Sequence, residues 1–342
     1  MKLLRLPGLI DSHVHLRDPG STAKEDLKTG TKAAIAGGFT AVCDMPNNSQ
    51  PTTTYKRVQQ KINLAQKKAL CPLYFYLGAD QDNSDEFKKS YPLVKGLKVY
   101  LNATTGPLLI EKLAVMQKIF KLWPGQKPIL VHAEDEKVAL VIGLIACFKK
   151  KVHFLHISQK TELEMIIKAK KQGLPITCEV TPHHLFMDES WQKKLTGFAS
   201  MKPSLKNKKD VAFLWDNLKY IDTFGTDHAP HTIKEKKSNN PPFGVPGLET
   251  ALPLLLTAVN QKKLTLDDII KRFHTNPKKI FDIDQDDNTF IEVDLKKHWT
   301  IKNKELFTKC GWSPFNGWKV KGKVIRVFIK GKKVFENNKF FK

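Results

Sequence analysis

The sequence lacks most of what would mark a membrane, secreted or nucleic-acid-binding protein. None of its apolar runs approaches the roughly 20 residues that a bilayer-spanning helix needs. The N-terminal stretch MKLLRLPGLIDSHVH is interrupted by Arg5 and Pro7, too early for the apolar core of a secretion signal. Cysteine is scarce and unpaired in pattern. Cys43, Cys71, Cys147, Cys178 and Cys310 are odd in number and nowhere spaced as CxxC, which argues against a disulfide framework and for free thiols in a reducing, cytoplasmic compartment. No segment repeats at a fixed period, and no zinc-finger, RRM or basic-zipper spacing is present. Acidic residues are in deficit, 34 against 57 Lys+Arg, for a net charge of +23. The lysines are dispersed over helix faces and turns such as KNKKD, so the excess reads as a solvated surface rather than a dedicated nucleic-acid face.

What the chain does have is a regular alternation. Eight short runs rich in β-branched and aromatic residues occur at 6–14, 39–45, 73–79, 94–101, 127–133, 151–157, 174–180 and 220–226. Between them lie stretches such as KEDLKTGTKAAIAGG and TELEMIIKAKKQG, whose apolar residues recur every three or four positions, as on amphipathic helices. Strand alternating with helix implies a parallel sheet. Eight such units, apolar on both faces, predict an α/β chain closed as a (β/α)8 barrel of the TIM type over residues 6–305. The tail VKGKVIRVFIKGKKVFENNKFF alternates with period two about a KGKK turn, predicting a small β satellite from residues 306–342 together with 1–5. The Pro-, Asn- and Lys-rich segment 231–247 reads as a long loop over a barrel mouth.

In such a barrel the reacting groups come from the C-terminal ends of the strands. His13 and His15 end the first run, two apart and so on one face; His132 and His156 end the fifth and sixth; Asp227 follows the eighth. Lys98 sits inside the fourth, where an ammonium would lose its hydration. A lone strand-end histidine is usually a hydrogen-bonded core residue. Four imidazoles, a carboxylate and a lysine converging on one mouth instead suit one or two divalent cations such as zinc or manganese. Burial would favour a neutral Lys98 amine, able to capture carbon dioxide as an anionic carbamate that bridges two metals.

The segments DSHVHLRDPG, MPNN, GLKVYLN, VHAE, FLHIS, GTDHAPHTIKEKK and PGLETALPLLLTAV, in this order, closely resemble the amidohydrolase superfamily and within it the dihydroorotases, most of all the dihydroorotase domain of multifunctional pyrimidine-synthesis proteins. The resemblance implies reversible, zinc-dependent interconversion of N-carbamoyl-L-aspartate and L-dihydroorotate. It implies two zinc ions, one held by His13, His15, carboxylated Lys98 and Asp227, the other by Lys98, His132 and His156. A metal-bridging hydroxide would attack the ring amide, and Asp227 would act as general acid and base. Arg17, two residues beyond the HxH pair, supplies the cationic fork that a substrate carboxylate needs. The resemblance adds Asn47 and His231 to that carboxylate pocket, and Thr104 and Lys202 to the substrate contacts. It further implies a homodimer and fusion to carbamoyl-phosphate synthetase and aspartate transcarbamoylase domains.

Three positions depart from the family pattern. Leu155 replaces a Cys that, with a Glu corresponding to Glu179, accompanies a third zinc, so two metals are expected. Thr104-Thr105 stands where Thr-Phe begins a closing loop, and Lys202 replaces an Arg near the pyrimidine edge. Two competing readings follow from the same residues: a cyclic amidase for a neutral ring, of the dihydropyrimidinase or allantoinase kind, and a catalytically inactive scaffold within a multienzyme complex.

Overall fold

The computed structural model describes residues 3–341; residues 1–2 and 342 of the expected satellite lie outside them. The chain opens with strand β1 (Leu4–Pro7) and resumes after Gly8 as β2 (Leu9–Val14), so the single run expected over 6–14 is two strands in two sheets. A Cβ at Gly8 would stand 2.3 Å from Thr40 Oγ1, and glycine alone lets the chain pass between the sheets there.

The barrel wall then runs β2, β3 (Phe39–Asp44), β4 (Leu73–Phe75), β5 (Leu77–Gly78), β6 (Leu97–Tyr100), β7 (Ile129–His132), β8 (Val152–Phe154), β9 (Ile176–Val180) and β10 (Thr223–Phe224). Paired neighbours are parallel throughout. β4 and β5 form one wall strand interrupted at Tyr76, whose hydroxyl donates to Ser12 O at 2.9 Å. Counted so, the eight expected strands are present. The wall closes where Val14 bridges His228 and His15 N donates to His228 O at 2.8 Å. Helices between the strands, among them Leu27–Ala36, Lys160–Lys171 and Leu248–Asn260, bury one apolar face against the wall. Ile10, Cys43, Tyr76, Leu130, Leu155 and Phe281 form a separate apolar cluster, a packed plug that leaves polar chemistry to the mouth.

The satellite is a five-stranded antiparallel sheet in the order β1, β11 (Phe290–Thr300), β12 (Lys319–Ile329), β13 (Lys332–Glu336) and β14 (Lys339–Phe340). Here the sequence reading needs correction: Phe290–Thr300, assigned to the barrel segment, is hydrogen-bonded to both β1 and β12. Its alternation is the reason. Ile291 and Val293 face inward, while Glu292 stands on the outer face in an ion pair with Arg326. The segment 231–247 is a loop carrying one helical turn, Ile233–Lys236.

One buried carboxylate spans the seam of the barrel. Asp11 accepts from Thr226 N at 3.1 Å, from the Thr226 hydroxyl, and from His13 N at 3.1 Å, tying β2 to the segment after β10. Asp11→Ala leaves these donors unpaired and is expected to lower stability by about 2–4 kcal/mol. Chemical denaturation checks this, and an unchanged midpoint would show that closure does not depend on the contact.

Candidate functional site

One pocket at the C-terminal end of the wall is lined by His13, His15, Arg17, Asn47, Lys98, Tyr100, Thr104, Thr105, His132, His156, Lys202, Asp227, Ala229, Phe243 and Gly244. Thus all the sequence-derived site residues except Glu179 and His231 meet at one mouth. Three of them occupy backbone conformations that L-residues rarely adopt: Arg17 at φ 62°, His156 at φ 36° and Asp227 at φ 46°. Each sits just past a strand, where a sharp turn aims the side chain back over the barrel axis, and strain of this kind concentrates at functional positions.

Three of the four imidazoles have one ring nitrogen tied back to an acceptor, while His156 Nδ1 has no partner among the described residues. His13 Nδ1 lies 2.7 Å from Glu179 Oε1, His15 Nδ1 lies 2.6 Å from Asn47 Oδ1, and His132 Nε2 lies 3.1 Å from Glu134 Oε1. Such contacts fix the tautomer and turn the other nitrogen's lone pair toward the pocket. There His13 Nε2 and His15 Nε2 stand 3.2 and 3.0 Å from the same Asp227 oxygen, and His132 Nδ1 faces His156 Nε2 at 2.9 Å. Burial pushes His15 down to about 4, lowers His132 and takes His156 well below the usual imidazole range, so these rings are neutral at pH 7. Burial alone would raise Asp227, but the neighbouring His13 holds it well below the usual carboxylate range.

Lone pairs directed at lone pairs and at a carboxylate repel unless a cation lies between them. One donor atom each from His13, His156 and Asp227 falls within 4.8 Å of the others, the spacing of a metal site. Lys98 Nζ is fully buried with no hydrogen-bond partner, 4.4 Å from the Tyr100 ring centroid. Burial draws its pKa down to about 7 against the opposing pull of Asp227 and Glu179. The donor set therefore fits a metal centre.

Glu179 and His231 stand behind this lining. The Glu179 carboxylate is engaged by His13, by Ser12 Oγ at 3.4 Å and by His156 N at 3.4 Å. Burial would raise it, yet His13 beside it holds it at about 2. A Cβ on Gly225 would stand 2.1 Å from Glu179 Oε2, so the glycine of GTD makes room for this carboxylate. Leu155 packs in the apolar plug. His231 is buried against Arg17, with Lys24 Nζ 3.1 Å from Nδ1. His231 Nε2 lies between Arg17 Nη2 at 3.1 Å and Phe243 O at 2.9 Å. Arg17 itself is buried, its Nε donating to Pro230 O at 3.1 Å, and its guanidinium reaches the pocket.

Tyr100 and Phe243 escape the sequence reading. Tyr100 carried a usable signal, since it lies two residues beyond Lys98 and so faces the same way. Phe243, inside a loop, carried none.

Comparison with known proteins accords with this geometry. Residues 4–99 match the model of the amidohydrolase family. The chain is 46% identical, over 96% of its length, to the multifunctional protein CAD of Squalus acanthias, and it spans 15% of that protein. It is 37% identical to the dihydroorotase of Pyrococcus furiosus, over 97% of this chain and 82% of that one. The fold superposes on the L-hydantoinase of Arthrobacter aurescens with TM-score 0.95 at 22% identity, over 99% of this chain and 87% of that one. It superposes on the inactive dihydroorotase-like domain of a Chaetomium thermophilum CAD-like multifunctional protein with TM-score 0.85 at 26% identity, over 100% of this chain and 97% of that one. By its likeness to a dihydroorotase over most of both chains, this protein belongs to the dihydroorotase family of amidohydrolases.

Proposed function

We propose that the protein is a dihydroorotase, interconverting L-dihydroorotate and N-carbamoyl-L-aspartate in pyrimidine synthesis. The observation that carries this reading is that one pocket joins a metal-competent donor set to a buried arginine. His13, His15, Asp227 and Lys98 would hold one zinc, and Lys98, His132 and His156 the other, with Lys98 carboxylated. With its pKa drawn down to about 7, the Lys98 amine would be nucleophilic toward carbon dioxide, and carboxylated it would offer an anionic oxygen ligand in place of a buried cation. The metal pair, when bound, supplies an activated water and polarises the amide carbonyl.

The remaining steps belong to the chain. Arg17 receives the substrate carboxylate through its planar fork, which a neutral ring would leave unpaired. Asn47, bonded to His15 and donating to Thr105 O at 3.1 Å, links the metal side to the loop that carries Thr104. His231 supports Arg17 from behind, and Thr104 and Lys202 meet the ring. Asp227, ionised at neutral pH, takes the proton of the attacking water as the C–O bond forms. It delivers that proton to the ring nitrogen as the C–N bond breaks, and in cyclisation it does the reverse. Glu179 acts by fixing His13 rather than as a further ligand. Free thiols suit a reducing compartment, the proposed assembly is a homodimer, and this chain matches 15% of a multifunctional relative, which suits fusion to further domains in some relatives.

One observation favours a second reading, an inactive domain of a larger assembly: the Chaetomium relative is described as inactive. Metal analysis separates the two. Near-zero zinc and no turnover after reconstitution with zinc and bicarbonate would favour the inactive domain.

Lys98→Ala is expected to lose bound metal and to lower turnover at least about 10³-fold, with Asp227→Ala equally impaired in turnover. Near-normal rates in either variant would mean that the residue does not carry the chemistry. Arg17→Gln should lower kcat/KM for dihydroorotate about 10²-fold and erase the preference for it over dihydrouracil and allantoin. Wild-type turnover of either neutral ring but not of dihydroorotate would overturn the substrate assignment. Stripped protein given zinc at fixed dissolved carbon dioxide should regain activity faster as pH rises through about 7, where the Lys98 ammonium loses its proton. Reactivation that accelerates only near the ordinary lysine range would contradict this.

A further inference from the structure

The Lys61 ammonium is buried away from the pocket lining. Lys61 stands on the helix Tyr55–Lys68 in the stripe Val58, Lys61 and Ala65 that this helix buries, where packing alone calls for an apolar residue. Its side chain is 1% exposed. A buried ion pair is often no more stabilising than apolar side chains of similar volume, so this ammonium needs a reason other than stability.

Its donors all find acceptors. Lys61 Nζ lies 2.5 Å from Asp44 Oδ2, 2.9 Å from Asn48 Oδ1 and 3.2 Å from Met45 O. Asp44 ends β3, and its other oxygen, Oδ1, accepts from Leu16 N at 2.7 Å, between His15 and Arg17. Asn48 follows Asn47 and donates through Nδ2 to Pro19 O at 3.4 Å. One ammonium therefore joins the segment that carries Arg17, at φ 62°, to the segment that carries Asn47. The His15–Asn47 contact joins the same segments through an imidazole of the metal side. The Lys61 tie bypasses that side.

We propose that Lys61 is a positioning residue that, through Asp44 and Asn48, sets the spacing of Arg17 and Asn47 and so shapes the site for the substrate carboxylate. The inference rests on the dihydroorotase reading. Dihydroorotate and N-carbamoyl-aspartate both carry that carboxylate, which stays intact while the amide bond forms or breaks. Its contacts are therefore the same in ground state and transition state, and in both directions. Binding of that kind acts on KM and leaves kcat alone.

Lys61→Met keeps an unbranched apolar stem and removes the ammonium. KM then rises about tenfold for both substrates, while kcat in each direction and the bound zinc are unchanged. The inhibition constant of acetohydroxamate, which can chelate metal but carries no carboxylate, also stays unchanged. A general loosening of the site would weaken this inhibitor together with the substrates. If the unpaired Asp44 carboxylate prevents folding, the double variant Asp44→Asn with Lys61→Met removes both charges, keeps an acceptor for Leu16 N and raises KM in the same way. Unchanged KM in a folded variant, a fall in kcat or in bound zinc, or an equal weakening of acetohydroxamate overturns the inference alone. A double variant that also fails to fold makes Lys61 a structural residue and overturns it too. A wild type that turns over no dihydroorotate overturns the underlying reading and this inference with it.

Discussion

An amine buried in a barrel wall without a partner is a poor bargain for folding, since an unsatisfied polar group inside a protein costs about 1–3 kcal/mol. Lys98 is in that position, and it is surrounded by imidazole nitrogens and a carboxylate that are equally ill-matched to one another. The mismatches have one resolution. A cation between the donors would convert repelling lone pairs into ligands, and on the proposed reading carboxylation of Lys98 would add an anionic ligand in place of a competing ammonium. Much of the surrounding architecture is intelligible as the means of holding this otherwise unfavourable cluster in place.

The means are visible outside the lining. Glu179 anchors His13, Asn47 anchors His15 and Glu134 anchors His132, so the first ring of donors is oriented by a second ring of acceptors. Asp11 ties the HxH strand to the segment that delivers Asp227, and Gly225 leaves the space that Glu179 fills. On the substrate side, Lys24, His231 and Phe243 O form a relay of contacts behind Arg17, and Lys236 pins the loop that carries Phe243. The metal side is made by strand ends, the substrate side by loops held rigid from beneath.

That division governs how much could be read in advance. Strand ends are legible because period-two alternation places His13 with His15, and because runs apolar on both faces reveal the wall and its count. The same rule fails where contacts are remote in sequence. β1 and β2 look like one run until Gly8 separates their sheets, and Phe290–Thr300 joins the satellite through partners at both ends of the chain. His231 stands behind Arg17 rather than in the pocket lining, because its nitrogens are taken by Lys24, Arg17 and Phe243 O, an arrangement no local pattern encodes. Phe243 lay hidden for a related reason: its place in the pocket lining is set by contacts remote in sequence.

The most direct test is a crystal structure of the purified protein with anomalous diffraction measured at the zinc absorption edge. The account predicts two anomalous peaks, one beside His13, His15 and Asp227 and one beside His132 and His156, with a branched extension of Lys98 between them. An unmodified Lys98 with no metal on either side, in zinc- and bicarbonate-treated protein, would contradict it.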